Sequence, residues 1–474
     1  MRQIIIIAVL ALGIQSAFAV ENTIPLATDN RIRTVAYEKN NVVPIYGNTF
    51  INTQIIFGSN ERIIDIQGGD ADAWTVNVNK VIPNVLNIKP TTLESNTDII
   101  ASTVDDQGKI SACGSYDELS KRLPKNCRIH DYRGSWIIPG FVDCHVHLPQ
   151  LDCRNKTGHT LLNWLKNYIF PAEEKFADPK IVRDVAPRFF DELLSHGITT
   201  AAIYSTVHYE ATDIAFEVAL EKGLRAIIGQ NLTDQNVPDP LCKKSSQLLA
   251  ESEKLITKWH GKEKRLFVAV TPRFAPSCSK ELIRGCGELA SEAKVYFQTH
   301  LAETADEVAW AKELYHFKNY PGFYADCGCL SPKSLFAHCI YLNDDEWRLF
   351  AEGKGTAAHC PTSNVFLKSG TMPIRSVEKH NIRFGLGSDV GAGPTFSMRE
   401  ICDSALEVHP KGAINETKAF YLATLGGAEA LSMADQIGNF VEGKWADFAI
   451  FDGPKFKGKA KQTYVAGACV WRGN

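Results

Sequence analysis

The sequence contains no apolar run long enough to cross a membrane as a helix. The strongest candidate is Ile4–Ile14, which is shorter than the about 20 apolar residues that a spanning helix needs. It follows the positively charged start MRQ and precedes the small-residue sequence Ala17-Phe18-Ala19, an order typical of a secretory signal peptide. We therefore predict a signal peptide over residues 1–19 and an exported protein, periplasmic or secreted, without stable membrane insertion after cleavage. A cytoplasmic location is the alternative.

The sequence also lacks an excess of charge of either sign. Its 51 lysines and arginines and 54 aspartates and glutamates leave a formal net charge of −3, so nothing in the charge balance predicts nucleic acid as a partner. The 13 cysteines are odd in number and show no regular spacing, which argues against a disulfide framework. We expect most of them to be small buried residues.

Both ends of the chain lack a long helical period. Residues 33–139 contain short alternating runs, such as TFINTQIIF, broken by Gly, Asn and Asp. Near the C-terminus, ADFAIFDG and TYVAGACVWRG again have the pattern of strands. We predict that residues 33–139 and 437–474 form one small β-sandwich domain built from both chain ends, with an insertion near 60–97.

Between these segments, continuous apolar runs alternate with amphipathic helical patterns. The runs include GFVDCHVH, TTAAIYS, VYFQTH and SLFAH. Such alternation predicts a parallel sheet covered by helices, and eight units predict a TIM-type (β/α)8 barrel over residues 140–436. A doubly wound sheet is the structural alternative, but no Gly-x-Gly-x-x-Gly sequence opens the first unit.

Several of the predicted barrel strands end in histidine or aspartate. The first ends in His145 and His147, the fifth in His300, the sixth in His338 and the eighth in Asp389. A spacing of two places both imidazoles of the first strand on one face, and a barrel gathers the carboxyl ends of its strands at one mouth. The set suits zinc or another first-row divalent metal. Taken singly, each of these residues could instead be an ordinary hydrogen-bonded side chain.

The fourth predicted strand, RLFVAVTPR, is informative by what it lacks. Its end carries Val270 and Thr271, where a lysine, glutamate or cysteine could bridge two ions. A two-metal site needs such an anionic bridge. A single metal with an open position for water is therefore favoured, and such a metal would activate that water. Glu303, three residues after His300, and Asp389 are candidates for the general acid–base work.

These residues lie in segments that resemble a known superfamily. PGFVDCHVH, THLAE, FAHC, AHCPTSN and GLGSDVGAG resemble the serial motifs of the metal-dependent amidohydrolases. The longer segments HVHLPQ, LLNWLKNYIFPAE and VTPRFAPSCS are similar to the guanine deaminase family within it. The resemblance covers roughly residues 130–453. It departs from the family at Cys144, where threonine is usual, and at Thr362, where asparagine is usual.

The resemblance implies a zinc-dependent hydrolase that converts guanine to xanthine and ammonia by cleaving a C–N bond of a cyclic amidine, in purine catabolism or salvage. It implies one zinc ion per chain, held by His145, His147, His300 and Asp389. It also implies a homodimer. Glu303 would shuttle protons, Asp389 would help to accept the first one, and His338 would hydrogen-bond the metal-bound water or the developing oxyanion.

The resemblance further implies where the base binds. Arg273 would donate to O6 and N7 of guanine, two acceptors on one edge, and Phe274 would offer a flat apolar surface. Without the resemblance, Arg273 could be a surface arginine and Phe274 a core aromatic. The residues implied to contact the substrate are His147, Gln150, Arg273, Phe274, His300, Glu303 and Asp389.

Two alternative functions stay open. The first is an amidohydrolase that deaminates another ring, such as a different purine, a pterin or a triazine, because such an enzyme would use the same metal apparatus. The second, from another class, is a catalytically silent amidohydrolase-like binding protein. Relatives of that kind usually lose metal ligands, and none is missing here.

Overall fold

The computed structural model describes the chain almost continuously from residue 135 onwards. The described residues are 2–7, 24–26, 29–37, 53–56, 74–78, 85–90, 100–104, 107–115, 119–121, 129–132, 135–156, 160–452 and 456–473. The predicted signal cleavage sequence and most of the predicted insertion lie outside them. In the described part of the chain, no helix is long and apolar enough to cross a membrane.

The chain forms two compact units, and the first takes residues 1–103, 112–129 and 416–418. Its strands β1 to β6 pair antiparallel in one six-stranded sheet with the order β2-β3-β1-β4-β6-β5. These strands are β1 (Arg2–Ile7), β2 (Ile24–Leu26), β3 (Asp29–Tyr37), β4 (Thr53–Ile56), β5 (Trp74–Val78) and β6 (Val85–Pro90). Two further strands, β7 (Ile100–Val104) and β8 (Ile110–Ser115), pair with each other.

The second unit, residues 104–111, 130–415 and 419–474, contains a barrel of eight parallel strands. After β9 (Ser135–Pro139), its strands run in the order β10-β11-β12-β14-β15-β16-β17-β18, and β13 pairs beside β14. The predicted (β/α)8 barrel is confirmed. The strands are β10 (Phe141–His147), β11 (Ile198–Tyr204), β12 (Arg225–Gly229), β13 (Asn231–Leu232), β14 (Leu266–Pro272), β15 (Tyr296–Leu301), β16 (Ser334–His338), β17 (Thr356–His359) and β18 (Phe384–Leu386).

Helices connect the barrel strands, as the parallel arrangement requires. Single turns of 3-10 or π geometry occur at Leu148–Cys153, Leu165–Ile169, Lys175–Ala177, Asp239–Leu241 and Ala275–Ser277. The α-helices are α1 (Leu161–Trp164), α2 (Phe170–Glu174), α3 (Pro179–Ser195), α4 (Tyr209–Lys222), α5 (Ser245–Trp259), α6 (Lys280–Ala293), α7 (Ala305–Tyr315), α8 (Tyr320–Asp326), α9 (Asp344–Glu352), α10 (Pro361–Phe366), α11 (Ile374–Lys379), α12 (Met398–Glu407), α13 (Glu416–Leu422) and α14 (Leu425–Ala430).

The barrel closes between its first strand and the segment that follows its last. The backbone N–H of Asp389 donates to the carbonyl of His145 at 2.8 Å, and that of His147 donates to the carbonyl of Val390 at 2.8 Å. Gly387 permits this approach, because a Cβ atom there would lie 2.9 Å from Cβ of His145. Closure therefore brings Asp389 beside the two histidines of β10.

A four-stranded antiparallel sheet accompanies the barrel in the same unit. Its order is β21-β20-β19-β9, with β19 (Phe448–Asp452), β20 (Gln462–Val465) and β21 (Ala468–Arg472). Both segments predicted to share a small domain thus contribute strands here, β9 from the first and β19 to β21 from the second. The strands β1 to β6 form a separate sheet. The extent of the predicted domain, 33–139 with 437–474, stays a prediction.

Most of the described cysteines are buried single thiols. Twelve of them carry no disulfide, and nine of these are buried. Cys144 packs in an apolar cluster with residues from most of the barrel strands and from α14, and its Sγ faces the carbonyl of Gly427 at 3.8 Å. The thiol between the two histidines of β10 is therefore a core residue.

A buried ion pair joins the barrel to the small sheet. Arg225 donates to the Asp447 carboxylate from Nε at 2.8 Å and from Nη2 at 3.2 Å, and each side chain is 1% exposed. Asp447 also accepts the backbone N–H of Ala466 at 2.7 Å. Removing one partner leaves the other charge buried and uncompensated.

We expect Asp447→Asn to lower the free energy of unfolding by about 3–5 kcal/mol, measured by urea denaturation. Asp152→Asn is the matched control, because Asp152 forms a similar forked pair with Arg188 in which the two side chains are 64% and 48% exposed. An exposed pair contributes only about 0–1 kcal/mol. Equal destabilisation by the two substitutions would contradict this account of the buried pair.

Candidate active site

Two imidazoles meet at the carboxyl end of β10. The strand is fully buried, and Nε2 of His145 lies 3.1 Å from Nε2 of His147. Asp143 anchors this strand end, because its carboxylate accepts the backbone N–H of His145 at 3.1 Å and both the backbone N–H and hydroxyl of Ser388, at 2.9 and 2.5 Å. Hydrogen bonds to Asp143 thus fix the end of β10 to the segment around Ser388.

His300 brings a third imidazole from β15. Its Nε2 lies 3.3 Å from Nε2 of His147, and its Nδ1 lies 2.6 Å from the backbone carbonyl of Arg273. Because a carbonyl only accepts, Nδ1 carries the proton and donates it there. The lone pair of Nε2 is left facing the other two histidines, which is the tautomer that a metal ligand needs.

Asp389 completes this cluster from the loop after β18. Its Oδ1 lies 3.3 Å from Nε2 of His145 and 3.2 Å from Nε2 of His147, while its Oδ2 accepts the hydroxyl of Ser363 at 2.5 Å. Its backbone φ of 47° lies in the left-handed region, which is uncommon outside glycine and occurs often at functional sites.

The protonation states suit metal binding. Burial lowers the pKa of His145 to about 4 and also lowers the pKa values of His147 and His300, so all three are neutral near pH 7. Burial alone would raise the pKa of Asp389, but the hydrogen bonds with His145 and His147 outweigh it and hold that pKa well below its usual value. Three neutral imidazoles and one carboxylate fit a divalent transition metal, and the donor atoms converge accordingly.

His338 and Glu303 lie beside this cluster. Nε2 of His338 is 3.6 Å from Oε2 of Glu303 and 3.9 Å from Oδ2 of Asp389, and its Nδ1 is 3.0 Å from Oδ1 of Asn364. Glu303 accepts the hydroxyl of Ser369 at 3.0 Å. Burial raises the pKa of Glu303, which suits a group that must both take up and release a proton.

Arg273, Phe274 and Gln150 line the same cavity as these residues. Arg273 is paired with Glu173, whose two oxygens each lie 2.7 Å from its Nη1. The ring of Phe274 meets that of Trp310 edge-on, 6.1 Å between centroids. The cavity thus brings together every candidate site residue except His145, which reaches it through His147 and Asp389.

Comparison with family models assigns this site to a known group. A model described as "Amidohydrolase family" matches residues 136–470, which include the whole barrel and every residue of the site. The chain belongs to the amidohydrolase family. A second model, described as a conjugal transfer protein, matches residues 30–106, in the part of the chain before the amidohydrolase segment.

Among amidohydrolases, the chain is similar to guanine deaminases. It is 39% identical to guanine deaminase of Escherichia coli (strain K12) over 350 residues, covering 73% of this chain and 80% of that protein. It is 34% identical to guanine deaminase of Homo sapiens over 369 residues, 74% and 81% of the two chains. Each of the two matches thus covers nearly three quarters of this chain.

Solved structures agree with the sequence comparison. The structure of E. coli guanine deaminase superposes with a TM-score of 0.74 at 36% identity, covering 78% of this chain and 92% of that one. Guanine deaminase from C. acetobutylicum, solved with guanine bound in its active site, gives a TM-score of 0.74 at 30% identity, covering 80% and 98%. The resemblance to guanine deaminases that the sequence motifs indicated is therefore confirmed.

One aromatic residue beside the histidines, Tyr204, was not predicted from the sequence. Tyr204 at the end of β11 packs its ring 4.7–4.8 Å, centroid to centroid, from the rings of His145, His147 and His300. A tyrosine at a strand end has no distinguishing local pattern. The predicted parallel pairing of β11 with β10, which places Tyr204 beside His147, is the feature from which its position could have been predicted.

Tyr204 supports the histidines through its ring. Its hydroxyl is buried and has no hydrogen-bond partner within the described part of the chain. We expect Tyr204→Phe to keep metal affinity within about twofold and Tyr204→Leu to weaken it by about 10–100-fold, as is usual when support for metal ligands is lost. Competition with a chromogenic chelator measures both. Equal losses in the two variants would show that the hydroxyl, not the ring, matters.

Proposed function

We propose that this chain is a zinc-dependent guanine deaminase, which hydrolyses guanine to xanthine and ammonia. The observation that supports this most strongly is the cavity itself. The three neutral imidazoles lie close enough together to hold a metal ion, Oδ1 of Asp389 is within 3.3 Å of two of them, and the cavity that they border is also lined by Arg273 and Phe274. The similarity to guanine deaminases over most of the chain supports the choice of substrate.

The side chains that would hold one zinc ion are His145, His147, His300 and Asp389. Zinc takes imidazole nitrogen and carboxylate oxygen as ligands, and the neutral histidines need no deprotonation before binding. When bound, zinc would supply an activated water molecule and polarise the substrate. No lysine, carboxylate or thiolate bridge to a second ion lies at the end of β14, where Val270 and Thr271 precede Pro272.

Glu303, His338 and Asp389 are proposed to handle the protons. Water adds at C2 of guanine, and Glu303 takes a proton from that water and gives it to a ring nitrogen. The C–N bond to the amino group then breaks, ammonia leaves with a second proton, and a C2 carbonyl forms, so that guanine plus water gives xanthine plus ammonia. His338, held at Nδ1 by Asn364, lies where its Nε2 can donate to negative charge that develops near Glu303.

Arg273 and Phe274 are proposed to select the base, and Gln150 lies on the same wall. Guanine carries two acceptors, O6 and N7, on the edge that faces a guanidinium. Adenine has an amino donor at the position of O6, so it would set donor against donor and leave buried N–H groups of Arg273 unpaired. His147, His300, Glu303 and Asp389 would contact the reacting end of the ring.

A substrate panel tests the proposal. The purified protein, loaded with zinc, is incubated with guanine, adenine, 8-oxoguanine, a pterin and a triazine, and ammonia is measured together with the ultraviolet spectrum of the product. We expect one equivalent of ammonia and the xanthine spectrum from guanine, at the highest kcat/KM of the panel. No release from guanine would overturn the proposal, and faster release from another ring would favour a different amidohydrolase. A silent protein would release ammonia from none.

Export and dimerisation are two further proposals. The apolar run Ile4–Ile14 followed by Ala17-Phe18-Ala19 supports secretion with cleavage after Ala19, which would remove β1 (Arg2–Ile7) from the six-stranded sheet. The family resemblance supports a homodimer. N-terminal sequencing of the protein purified from its native host should begin at Val20, and light scattering should give twice the mass of the chain. An N-terminus at Met1, or a monomer mass, would contradict the respective proposal.

A further inference from the structure

A buried carboxylate with no role in the proposed chemistry lies behind the base-binding wall. Glu173 is the fourth residue of α2 and is 2% exposed. Both of its oxygens lie 2.7 Å from Nη1 of Arg273. It also accepts from Nε2 of Gln150 and from Nδ2 of Asn231, each at 3.4 Å. Glu173 thus contacts Arg273 and Gln150, the two polar residues proposed to bind the base.

We propose that Glu173 is a positioning residue that sets the substrate specificity of this site, an inference that rests on the proposed function. It holds the guanidinium of Arg273 and fixes which end of the Gln150 amide faces the cavity. A ring whose edge pairs a carbonyl acceptor with a neighbouring N–H donor would then be favoured over a ring with an amino group and a bare ring nitrogen at the same two positions.

The argument begins with the chemistry of a carboxylate. An ionised carboxylate only accepts hydrogen bonds, so the groups around it must turn N–H toward it. Gln150 accordingly directs its NH2 group at Glu173. The carbonyl oxygen of the same amide, Oε1, then points away from Glu173. That oxygen is buried and has no partner within the described residues, and Gln150 lines the cavity. A buried acceptor of this kind needs a donor, and a substrate N–H can supply it.

Arg273 supplies the opposite polarity. Its Nη1 is engaged by Glu173, and its guanidinium stacks over the ring of Phe170 with 5.4 Å from Cζ to the ring centroid. Because the guanidinium is planar and rigid, a fixed Nη1 and a covered face fix the direction of the remaining N–H groups. The cavity therefore offers the substrate a donor from Arg273 and an acceptor from Gln150. Glu173 determines which of these two positions donates and which accepts.

A glutamine at this position would remove that constraint. Its amide has the same size but both donates and accepts, so the Gln150 amide could turn over and Arg273 would lose its charged partner. A change in the placement of a binding group costs about 10²-fold in rate. A purely structural defect would lower the activity toward both substrates alike. A change in the ratio of the two activities therefore reports the positioning role.

The test compares guanine with 2,6-diaminopurine, which carries the same 2-amino leaving group but an amino donor in place of O6 and a bare N1. We expect Glu173→Gln to lower kcat/KM for guanine by about 100-fold, chiefly through KM, and to lower the guanine to 2,6-diaminopurine ratio at least about tenfold. Glu174→Gln, the next residue of α2 and half-buried, is the matched control and should keep both values. Zinc content should stay unchanged in both variants.

An equal loss for the two substrates, or no loss, would overturn the inference. If Glu173→Gln does not fold, Glu173→Asp decides, because it keeps the charge but is too short to keep its 2.7 Å contacts, and its ratio should fall in the same direction. If the wild-type protein releases no ammonia from guanine, the proposed function fails on its own. Calorimetric binding of the two purines to wild type and variant then decides the role of Glu173, and an unchanged affinity ratio would overturn it.

Discussion

Replacing Glu303 by glutamine is expected to lower kcat for guanine by about 10³-fold, within the range that a general acid–base group contributes. Glutamine keeps the shape of Glu303 and can still accept from Ser369, which donates to Oε1 at 3.0 Å. It cannot take a proton from water and pass it to the ring. Because Glu303 reaches the cluster through His338, which is not a proposed metal ligand, zinc content should stay at the wild-type value.

The measurement is steady-state ammonia release paired with metal analysis of the same sample. Glu313→Gln is the matched control, since Glu313 is exposed on α7 and should behave as wild type. Activity within about tenfold of wild type for Glu303→Gln would assign the proton transfers to another group, with Asp389 the nearest carboxylate to His338 after Glu303.

Asp389→Asn is expected to produce a loss of similar size, about 10³-fold or more in kcat/KM, together with weaker zinc binding. The carboxylate provides the negative charge of the cluster, and its Oδ1 lies within 3.3 Å of Nε2 of both His145 and His147. An amide of the same shape is neutral and turns an NH2 group toward either these nitrogens or Ser363. The three imidazoles remain but lose their only nearby anion among the proposed ligands.

Zinc affinity by chelator competition and guanine turnover should fall together in that variant. Asp345→Asn is the control, because the Asp345 side chain is 84% exposed and pairs with the exposed side chain of Arg348. Full hydrolysis by Asp389→Asn would show that the metal site has been assigned to the wrong residues. Loss of turnover with unchanged zinc affinity would instead limit Asp389 to proton transfer.

The barrel and the centre of the site were predictable because both follow from short-range pattern. Alternation of apolar strands with helices predicts a closed parallel sheet, and a closed sheet gathers strand ends. Once that holds, His145, His147, His300, His338 and Asp389 must converge, which the described geometry shows. The sequence pattern could not show whether the Cys144 side chain belongs to the core or to the site. Its position in the core depends on the packing of α14 against β10 and β18.

The supporting residues could not be predicted, because each acts through contacts distant in the chain. Glu173 reaches Arg273 across 100 positions, and Asn364 reaches His338 from a helix after the next strand. Their own neighbours in sequence carry no sign of this role. The separate sheet of β1 to β6 was also missed, because alternating short strands do not reveal which strands they pair with.

Titration of metal-free protein with zinc, followed by guanine deamination, tests the central claim most directly. If His145, His147, His300 and Asp389 hold one catalytic ion, the rate should rise linearly from near zero and reach its plateau at one equivalent of zinc per chain. A plateau at two equivalents would contradict the single-ion site. Full activity in the metal-free protein would contradict the role of the metal altogether.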